Sequence, residues 1–258
     1  MIDPLKNSVI IKNVAPEKSF LDAWVIGNNA VIDKRADSFT ITFDSNANQF
    51  VVSYTVNSKK EDFAPPLFGS GNVPGYLSKN DMLAIYELCK KLPNNGIIVE
   101  VGSFLGKSAV EFAKSVKALK KDFQIISIDS FNSPLSILHD LLTEANFDLP
   151  PGNNQFEIFK YYARDYKNIR ALKAFVNQTF QFDQKINLVF EDSDHSAAAL
   201  TYALPFWFDR LEIGGVLAGH DYHMHEVQTS VDTFAILRNL EVRFVKEESS
   251  IWFIEKLT

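Results

Sequence analysis

The fold is decided by the stretch Ile97-Ile98-Val99-Glu100-Val101-Gly102-Ser103-Phe104-Leu105-Gly106-Lys107-Ser108. Apolar residues and one acid lead directly into a glycine turn, and a helical pattern follows. This order predicts a buried strand, a tight loop and the N-terminus of a helix. In an open α/β sheet, ligands bind at such a junction, because small residues let a ligand approach the backbone and the first N–H groups of the helix point at it.

The spacing of this loop excludes two familiar phosphate-binding motifs. A Walker-type loop needs four residues between its glycines, but Gly102 and Gly106 enclose only three, although Lys107 and Ser108 follow as in that motif. The dinucleotide motif needs Gly-x-Gly-x-x-Gly, but Glu100 stands two positions before Gly102. Because a carboxylate repels phosphate, the loop favours a ligand with a ribose and a cationic part but no phosphate. S-adenosylmethionine fits this description through its sulfonium and ammonium charges.

The composition is typical of a globular protein and does not indicate a strongly charged binding partner. The chain is 46% hydrophobic and 22% charged, and its formal net charge is −6. It has no concentration of Lys and Arg typical of nucleic-acid binding, and no apolar run of membrane-spanning length. The single cysteine, Cys89, cannot form an internal disulfide, and the start of the chain has no signal-peptide pattern. We therefore expect a cytoplasmic protein that binds neither nucleic acid nor membranes.

The first 62 residues differ from the rest and predict a β-rich appendage, residues 1–62. Residues 38–43 and 49–56 are β-rich and flank a turn-rich joint, which predicts a hairpin. Shorter strands are expected near 8–11 and 24–26. A Pro/Gly-rich connector is predicted at 63–77, followed by the main domain at 78–258.

From residue 78 onward the sequence alternates between helical and strand patterns. Ser78 with Asp81 resembles the cap of a first helix. Further helices are predicted at 109–119, 197–208 and 227–239, and strands at 97–101, 123–129, 169–176, 186–190 and 214–219. Such alternation predicts a doubly wound α/β fold, in which helices cover both faces of a parallel sheet. The stretches 242–246 and 251–255 predict an antiparallel hairpin at one edge.

Polar residues end several of the predicted strands, and the ends of parallel strands share one edge of the sheet. Asp129 ends the second strand, where a carboxylate can accept both hydroxyls of a ribose; a solvated loop acid is the alternative. Asp192, His220 and Asp221 end two further strands and form an oxygen-rich set compatible with Mg²⁺ or another divalent cation. The alternative is that these side chains only hydrogen-bond the loop backbone.

His195 is the candidate general base, because the ordinary pKa of histidine lies near neutrality. Four of the five histidines fall within residues 195–225, and such a cluster can also be a metal site or a polar surface. We interpret His223 and His225 as polar surface. Glu100 likewise has a second interpretation, as a cap on the helix that follows it.

Four segments together resemble the class I S-adenosylmethionine-dependent methyltransferases. They are residues 100–108, Asp129, residues 188–195 and residues 214–222. More narrowly, they are similar to the group that contains the macrocin-type sugar O-methyltransferases, methyltransferase family 24. The resemblance covers about residues 76–256 and implies a Rossmann-like, seven-stranded sheet with the antiparallel hairpin at its C-terminal end.

The resemblance also implies a set of site residues. The methionine part of the cofactor would lie against residues 100–106, and Asp129 would bind its ribose. By analogy with the metal-dependent catechol-type O-methyltransferases, Asp192, His220 and Asp221 fall where metal ligands lie, and His195 falls near the catalytic base. The complete predicted cofactor set is Glu100, Gly102, Ser103, Gly106, Ser108, Asp129, Ser130, Asn177, Gln178 and Asp192.

The chain departs from the pattern of the family at three places. Ser193 stands where a glycine is usual between the acids of the fourth-strand motif. His220 stands where a catechol-type enzyme has an acid, which weakens the case for a metal. Residues 176–179 stand where an acid or small polar residue commonly contacts adenine, so Asn177 or Gln178 is the predicted contact.

The function expected from the sequence is methyl transfer from S-adenosylmethionine to an oxygen of a small-molecule acceptor, with possible help from a divalent cation. Two alternatives stay open: a hydroxylase-like relative on the same fold, and a non-catalytic module that keeps the cofactor pocket. Residues 1–62 and 132–168 are candidates for covering the substrate or for contact within a homo-oligomer.

Overall fold

The computed structural model divides the chain into two compact units, Met1–Pro66 and Leu67–Thr258. The described residues are 2–3, 8–12, 31–35, 38–42, 73–134, 138, 154–177, 180–246 and 248–258. Among the sequence predictions, the strands at 24–26 and 49–56, residues 63–72 of the connector and the adenine contact Gln178 lie outside them. Within the described segments, no helix has both the length and the apolar character needed to cross a membrane.

The first unit contains a four-stranded antiparallel sheet in the order β1-β2-β4-β3. Its strands are β1 (Ile2–Asp3), β2 (Ser8–Lys12), β3 (Val31–Arg35) and β4 (Ser38–Thr42). The strands predicted at 8–11 and 38–43 are confirmed. Strand β3 was missed because only its first two residues are apolar, and it pairs with β4 across a two-residue connection.

The second unit is built on a seven-stranded sheet in the order β10-β11-β9-β8-β5-β6-β7. Five neighbouring strands of this sheet run parallel, namely β9, β8, β5, β6 and β7. Strands β11 and β10 are antiparallel additions at one edge. The predicted parallel sheet with its terminal hairpin is therefore confirmed. The strands are β5 (Asn95–Val101), β6 (Asp122–Asp129), β7 (Ile169–Lys173), β8 (Ile186–Glu191), β9 (Leu211–Gly219), β10 (Arg243–Phe244) and β11 (Trp252–Glu255).

Five helices of the described residues accompany this sheet, and the first begins at the predicted cap. Ser78 Oγ accepts from Asp81 N at 3.1 Å, and Asp81 Oδ2 accepts from Ser78 N at 2.8 Å, which is a complete capping box. One helix was not predicted, although Asn154 caps it by accepting from Glu157 N. The helices are α1 (Lys79–Lys91), α2 (Lys107–Ala118), α3 (Gln155–Ala163), α4 (Ala197–Arg210) and α5 (His225–Arg238).

The core has two layers because successive residues of a strand point to opposite faces of the sheet. On β5, Ile98 packs with Leu88 of α1 and Phe112 of α2. The next residue, Val99, packs on the other face with Trp207 of α4 and Val231 of α5. Helices α1–α3 therefore cover one face and α4–α5 the other, so the carboxyl ends of the parallel strands stay open at the edge between the layers.

Candidate active site at the carboxyl edge of the sheet

Three backbone hydrogen bonds hold the loops at this edge side by side. Gly102 N donates to Ile128 O at 2.8 Å, and Asp192 N donates to Val101 O at 2.8 Å. His220 N donates to Glu191 O at 3.3 Å. The loops that follow β5, β6, β8 and β9 therefore meet, as the sequence predicted from the parallel topology.

Gly102 is the point at which the glycine loop touches the loop after β8. Its φ is +87°, a left-handed conformation that favours glycine. A Cβ atom built at Gly102 would lie 2.1 Å from the carbonyl oxygen of Asp192. Only glycine therefore allows the two loops to approach this closely. Gly106, with φ of +95°, is the N-cap of α2, and no side chain caps that helix.

Glu100 lies beneath the glycine loop and has no exposed surface. Its Oε1 accepts from the hydroxyl of Ser108, and its Oε2 accepts from Ser127 Oγ at 2.8 Å. Burial raises the pKa of Glu100 to about 7, and the hydroxyls of Ser108, Ser103 and Ser127 act in the opposite direction. This geometry favours the interpretation that Glu100 anchors the first turn of α2. The predicted cofactor contacts of Glu100, Ser103 and Ser108 stay predictions, since all three side chains are buried.

The buried carboxyl of Glu100 is expected to make stability depend on pH. Its pKa of about 7 exceeds the ordinary value of 4.5, so between these pH values the folded protein binds a proton that the unfolded chain has lost. The free energy of unfolding should therefore fall as the pH rises from about 4.5 to about 7. Urea unfolding of the wild type and of Glu100→Gln across this range measures the effect, and Glu100→Gln should reduce the slope.

Glu191 gives the matched comparison, because burial also raises its pKa to about 7. We expect Glu191→Gln to reduce the same slope, and the double variant to flatten it further. An unchanged slope in Glu100→Gln would contradict a proton-binding Glu100.

Glu191 also explains a departure from the family pattern, the serine at position 193. Glu191 Oε1 accepts from the hydroxyl and from the backbone N of Ser193, so the serine has a hydrogen-bond partner there.

Asp129 connects β6 to the glycine loop through its carboxylate. Oδ2 accepts from Phe104 N at 2.8 Å, and Oδ1 accepts from Phe131 N at 2.6 Å. Each oxygen keeps a lone pair, and the residue is only partly buried, so the carboxylate can still accept the hydroxyls of a ribose. Ser130 follows it and is also partly buried. Asn177 is exposed beyond the end of β7, the strand next to β6.

Two aspartates and two histidines cluster beside this loop. His195 Nε2 lies 3.0 Å from Asp221 Oδ2 and 3.7 Å from Asp192 Oδ1. His220 Nδ1 lies 3.2 Å from Asp221 Oδ1 and also 3.7 Å from Asp192 Oδ1. Both imidazoles therefore face the same pair of carboxylates. The His195 side chain is 34% exposed and that of His220 only 7%, so His195 is the more accessible of the two to an acceptor molecule.

The charges within this cluster stabilise one another. The carboxylates of Asp192 and Asp221 raise the pKa of His195 to about 10. Burial lowers the pKa of His220, but Asp221 and Asp81 outweigh it and raise the value to about 10. In turn, His195 and His220 hold the pKa of Asp221 well below its usual range. Burial raises the pKa of Asp192.

The cluster also offers ligands for a divalent cation. One donor atom from each of Asp192, His195 and Asp221 lies within 4.8 Å of the others. The predicted metal set contained His220 in place of His195, and His220 lies against the same two carboxylates. The donor group that the structure brings together contains His195 and not His220, so the metal set Asp192, His220 and Asp221 stays a prediction. His223 is 68% exposed, in line with its interpretation as surface.

Comparison with known proteins finds one family model that matches the residues at this edge of the sheet. Residues 99–222 match the family model Methyltransf_24, described as a methyltransferase domain. The resemblance to the class I methyltransferases is confirmed. The matched residues include the glycine loop, Asp129 and the four residues of the His–Asp cluster. Asp81, which contacts this cluster, lies outside the matched residues.

The fold of this chain is similar to that of a solved O-methyltransferase. The O-methyltransferase NovP superposes with a TM-score of 0.52 at 15% identity, over 70% of this chain and 81% of NovP. CalS11, described as a TDP-rhamnose 3'-O-methyltransferase of calicheamicin biosynthesis, gives 0.49 at 14% identity, over 69% of this chain and 81% of its own. No curated protein matches the sequence. The superposition on NovP supports the Rossmann-like fold.

Proposed function

We propose that this protein transfers the methyl group of S-adenosylmethionine to an oxygen of a small-molecule acceptor. The observation that carries the proposal is the contact between Gly102 and the backbone of Asp192. Because of this contact, the loop that suits the cofactor and the cluster that suits proton transfer form one site. The match of residues 99–222 to a methyltransferase domain supports methyl transfer as the reaction class.

The residues present fit S-adenosylmethionine. The glycine loop carries two left-handed glycines and leaves the N-terminus of α2 without a side-chain cap, so the backbone can approach a ligand. Asp129 has carboxylate lone pairs left for ribose hydroxyls, and Asn177 is the remaining described candidate for adenine. When bound, the cofactor supplies a methyl group that its sulfonium charge makes electrophilic.

The chain itself would orient the acceptor and remove its proton. His195 is the candidate base, because it is the more exposed of the two clustered histidines. Its Nε2 lies 3.0 Å from Asp221 Oδ2 and 3.7 Å from Asp192 Oδ1, so both carboxylates attract the imidazole by charge. Holding the acceptor oxygen in line with the methyl group can supply about 7–11 kcal/mol of the barrier reduction in favourable cases.

The donor set also fits a divalent cation. Asp192 and Asp221, with His195 or His220, would hold it, and it would lower the pKa of an acceptor hydroxyl. The same carboxylates stabilise protonated His195, so a cation bound to them would favour the neutral imidazole that a base needs. Acceptors with adjacent oxygens are therefore the first class to test.

A titration with S-adenosylmethionine in a calorimeter tests the cofactor assignment. We expect a dissociation constant in the micromolar range, about −8 kcal/mol. Absence of heat at saturating ligand would contradict the proposal.

The proposal also covers the partners of this protein: we expect a small-molecule acceptor, no nucleic-acid partner and a homo-oligomeric state. The net charge of −6 supports the exclusion of nucleic acid.

Removal of the cation is expected to lower turnover. Treatment with a chelator should reduce activity, and added Mg²⁺ should restore it. Asp192→Asn should weaken binding of Mg²⁺ or Mn²⁺ about 10-fold or more, because a neutral amide replaces a charged oxygen ligand. Asp209→Asn is the matched control, since Asp209 pairs with Arg238 on the surface. Activity that is insensitive to chelators would remove the cation from the proposal.

The cluster supports one competing function on the same fold. Two imidazoles and two carboxylates also suit Fe(II) in oxygen-dependent hydroxylases. Binding of S-adenosylmethionine separates the two functions, because a hydroxylase of this kind needs a different co-substrate. Failure to bind the cofactor together with tight Fe(II) binding would favour the hydroxylase.

A further inference from the structure

Asp81 is a buried carboxylate that the methyltransferase family match does not include. It is the third residue of α1 and only 3% exposed. Its Oδ1 accepts from Ser249 Oγ at 2.8 Å and from Ser250 N at 3.0 Å. Its Oδ2 accepts from Ser78 N at 2.8 Å. The carboxylate is therefore fixed from two sides, by the start of α1 and by the loop before β11.

The carboxylate of Asp81 faces the imidazole of His220. Asp81 Oδ2 lies 3.3 Å from His220 Nε2, which is an ion-pair contact and not an aligned hydrogen bond, while His220 Nδ1 faces Asp221 Oδ1 at 3.2 Å. The ring is thus placed between Asp81 on one side and the pair Asp192 and Asp221 on the other. The backbone of His220 is held as well, since its carbonyl accepts from Trp252 Nε1 at 3.3 Å.

Helix capping alone does not account for this arrangement. A capping box needs one carboxylate oxygen and functions equally well at the surface. Burying a carboxylate is costly unless it is hydrogen-bonded and paired with a positive group. Asp81 meets both conditions, and its pairing with His220 connects it to the cluster. In metal sites, a carboxylate on the second ring nitrogen fixes the tautomer and the orientation of a ligating histidine.

We propose that Asp81 is a positioning residue that keeps the proton of His220 on Nε2, so that Nδ1 presents its lone pair to a divalent cation at Asp192 and Asp221. The inference rests on the cation site of the proposed function. It gives α1, which precedes the matched domain, a direct part in building the site. It also gives a reason for histidine at position 220, where an acid would be repelled by Asp81.

Mn²⁺ binding, followed by the electron paramagnetic resonance of the free ion, tests this role without the need for an acceptor. We expect Asp81→Asn to weaken Mn²⁺ binding about 10- to 100-fold. His220→Gln should weaken it comparably. In the His220→Gln background, Asp81→Asn should cause almost no further loss, because Asp81 acts through His220.

Two control variants separate positioning from a general loss of structure. Ser78→Ala removes half of the capping box, and Ser249→Ala removes one hydrogen bond to Asp81, but both keep the Asp81 and His220 side chains. We expect both to keep Mn²⁺ affinity within about twofold, even if their melting temperatures fall by as much as that of Asp81→Asn.

Nitrogen chemical shifts of the wild type give a test that needs no variant. In the Mg²⁺-saturated protein, His220 should carry its proton on Nε2 alone. The opposite tautomer would overturn the inference. So would an equal loss of Mn²⁺ affinity from Asp81→Asn in both backgrounds, because that indicates a purely structural role. If Asp192→Asn weakens Mn²⁺ binding but Asp81→Asn does not, only this inference fails. If the wild type binds no Mn²⁺, the cation site of the proposed function fails with it.

Discussion

Gly102→Ala is expected to reduce the affinity for S-adenosylmethionine about tenfold or more and to destabilise the fold. An alanine in the left-handed conformation costs about 1–2 kcal/mol, which alone corresponds to about a tenfold change in an equilibrium constant. The larger effect comes from space, because the new Cβ would lie 2.1 Å from Asp192 O and 2.6 Å from Ser193 Cα. Both are backbone atoms, so the loop after β8 must move away from the glycine loop.

Gly214→Ala is the matched control for this experiment. Gly214 also has a positive φ, of +81°, but a Cβ there would meet nothing within 4 Å. The control therefore carries the conformational cost without the collision. Calorimetry and thermal unfolding should show normal cofactor affinity and a smaller loss of stability in Gly214→Ala. Equal effects of the two substitutions would mean that the contact between Gly102 and Asp192 does not hold the site together.

His195→Ala is expected to lower kcat by about 10²–10⁴, the usual contribution of a general base. The affinity of this variant for S-adenosylmethionine should stay within about twofold of the wild type, because the predicted cofactor contacts do not involve His195. The imidazole is held 3.0 Å from Asp221 and is partly exposed, as a group must be that meets an acceptor. Single-turnover kinetics with saturating cofactor would separate the chemical step from binding.

His223→Ala controls for the loss of a histidine next to the same carboxylate. His223 Nδ1 lies 3.8 Å from Asp221 Oδ1, but its side chain is largely exposed. We expect its kcat to stay within about twofold of the wild type. If His195→Ala keeps its turnover, or if both variants lose it equally, His195 is not the base. A loss of cofactor binding in His195→Ala would instead make His195 part of the binding site.

Much of the fold could be predicted because its signals are local. The apolar run of β5, the glycines after it and the cap at Ser78 specify their conformations within a few residues. Helix α3 was missed because prolines and a glycine at positions 150–152 obscure its start, although Asn154 is an ordinary cap. Strand β3 was missed because charged residues fill its second half.

The candidate site could be predicted only in part. The sequence identified the residues at the strand ends, and the parallel topology brought Asp192, His195, His220 and Asp221 together. It did not indicate which side chains face inward. The structure adds that the carboxyl of Glu100 has buried serine partners, while its predicted contact with the cofactor stays a prediction. Nothing in the spacing of the sequence connected Asp81 with His220, because 139 positions separate a helix cap from a strand end.

The sequence by itself determined that strands end in glycine, acid and histidine at one edge of a parallel sheet, because hydrophobic periodicity and turn residues act over short distances. Only the tertiary structure decided that Gly102 touches Asp192, that Glu100 is enclosed and that Asp81 reaches His220. These relations depend on how segments far apart in the chain pack against each other, and packing is a property of the whole core.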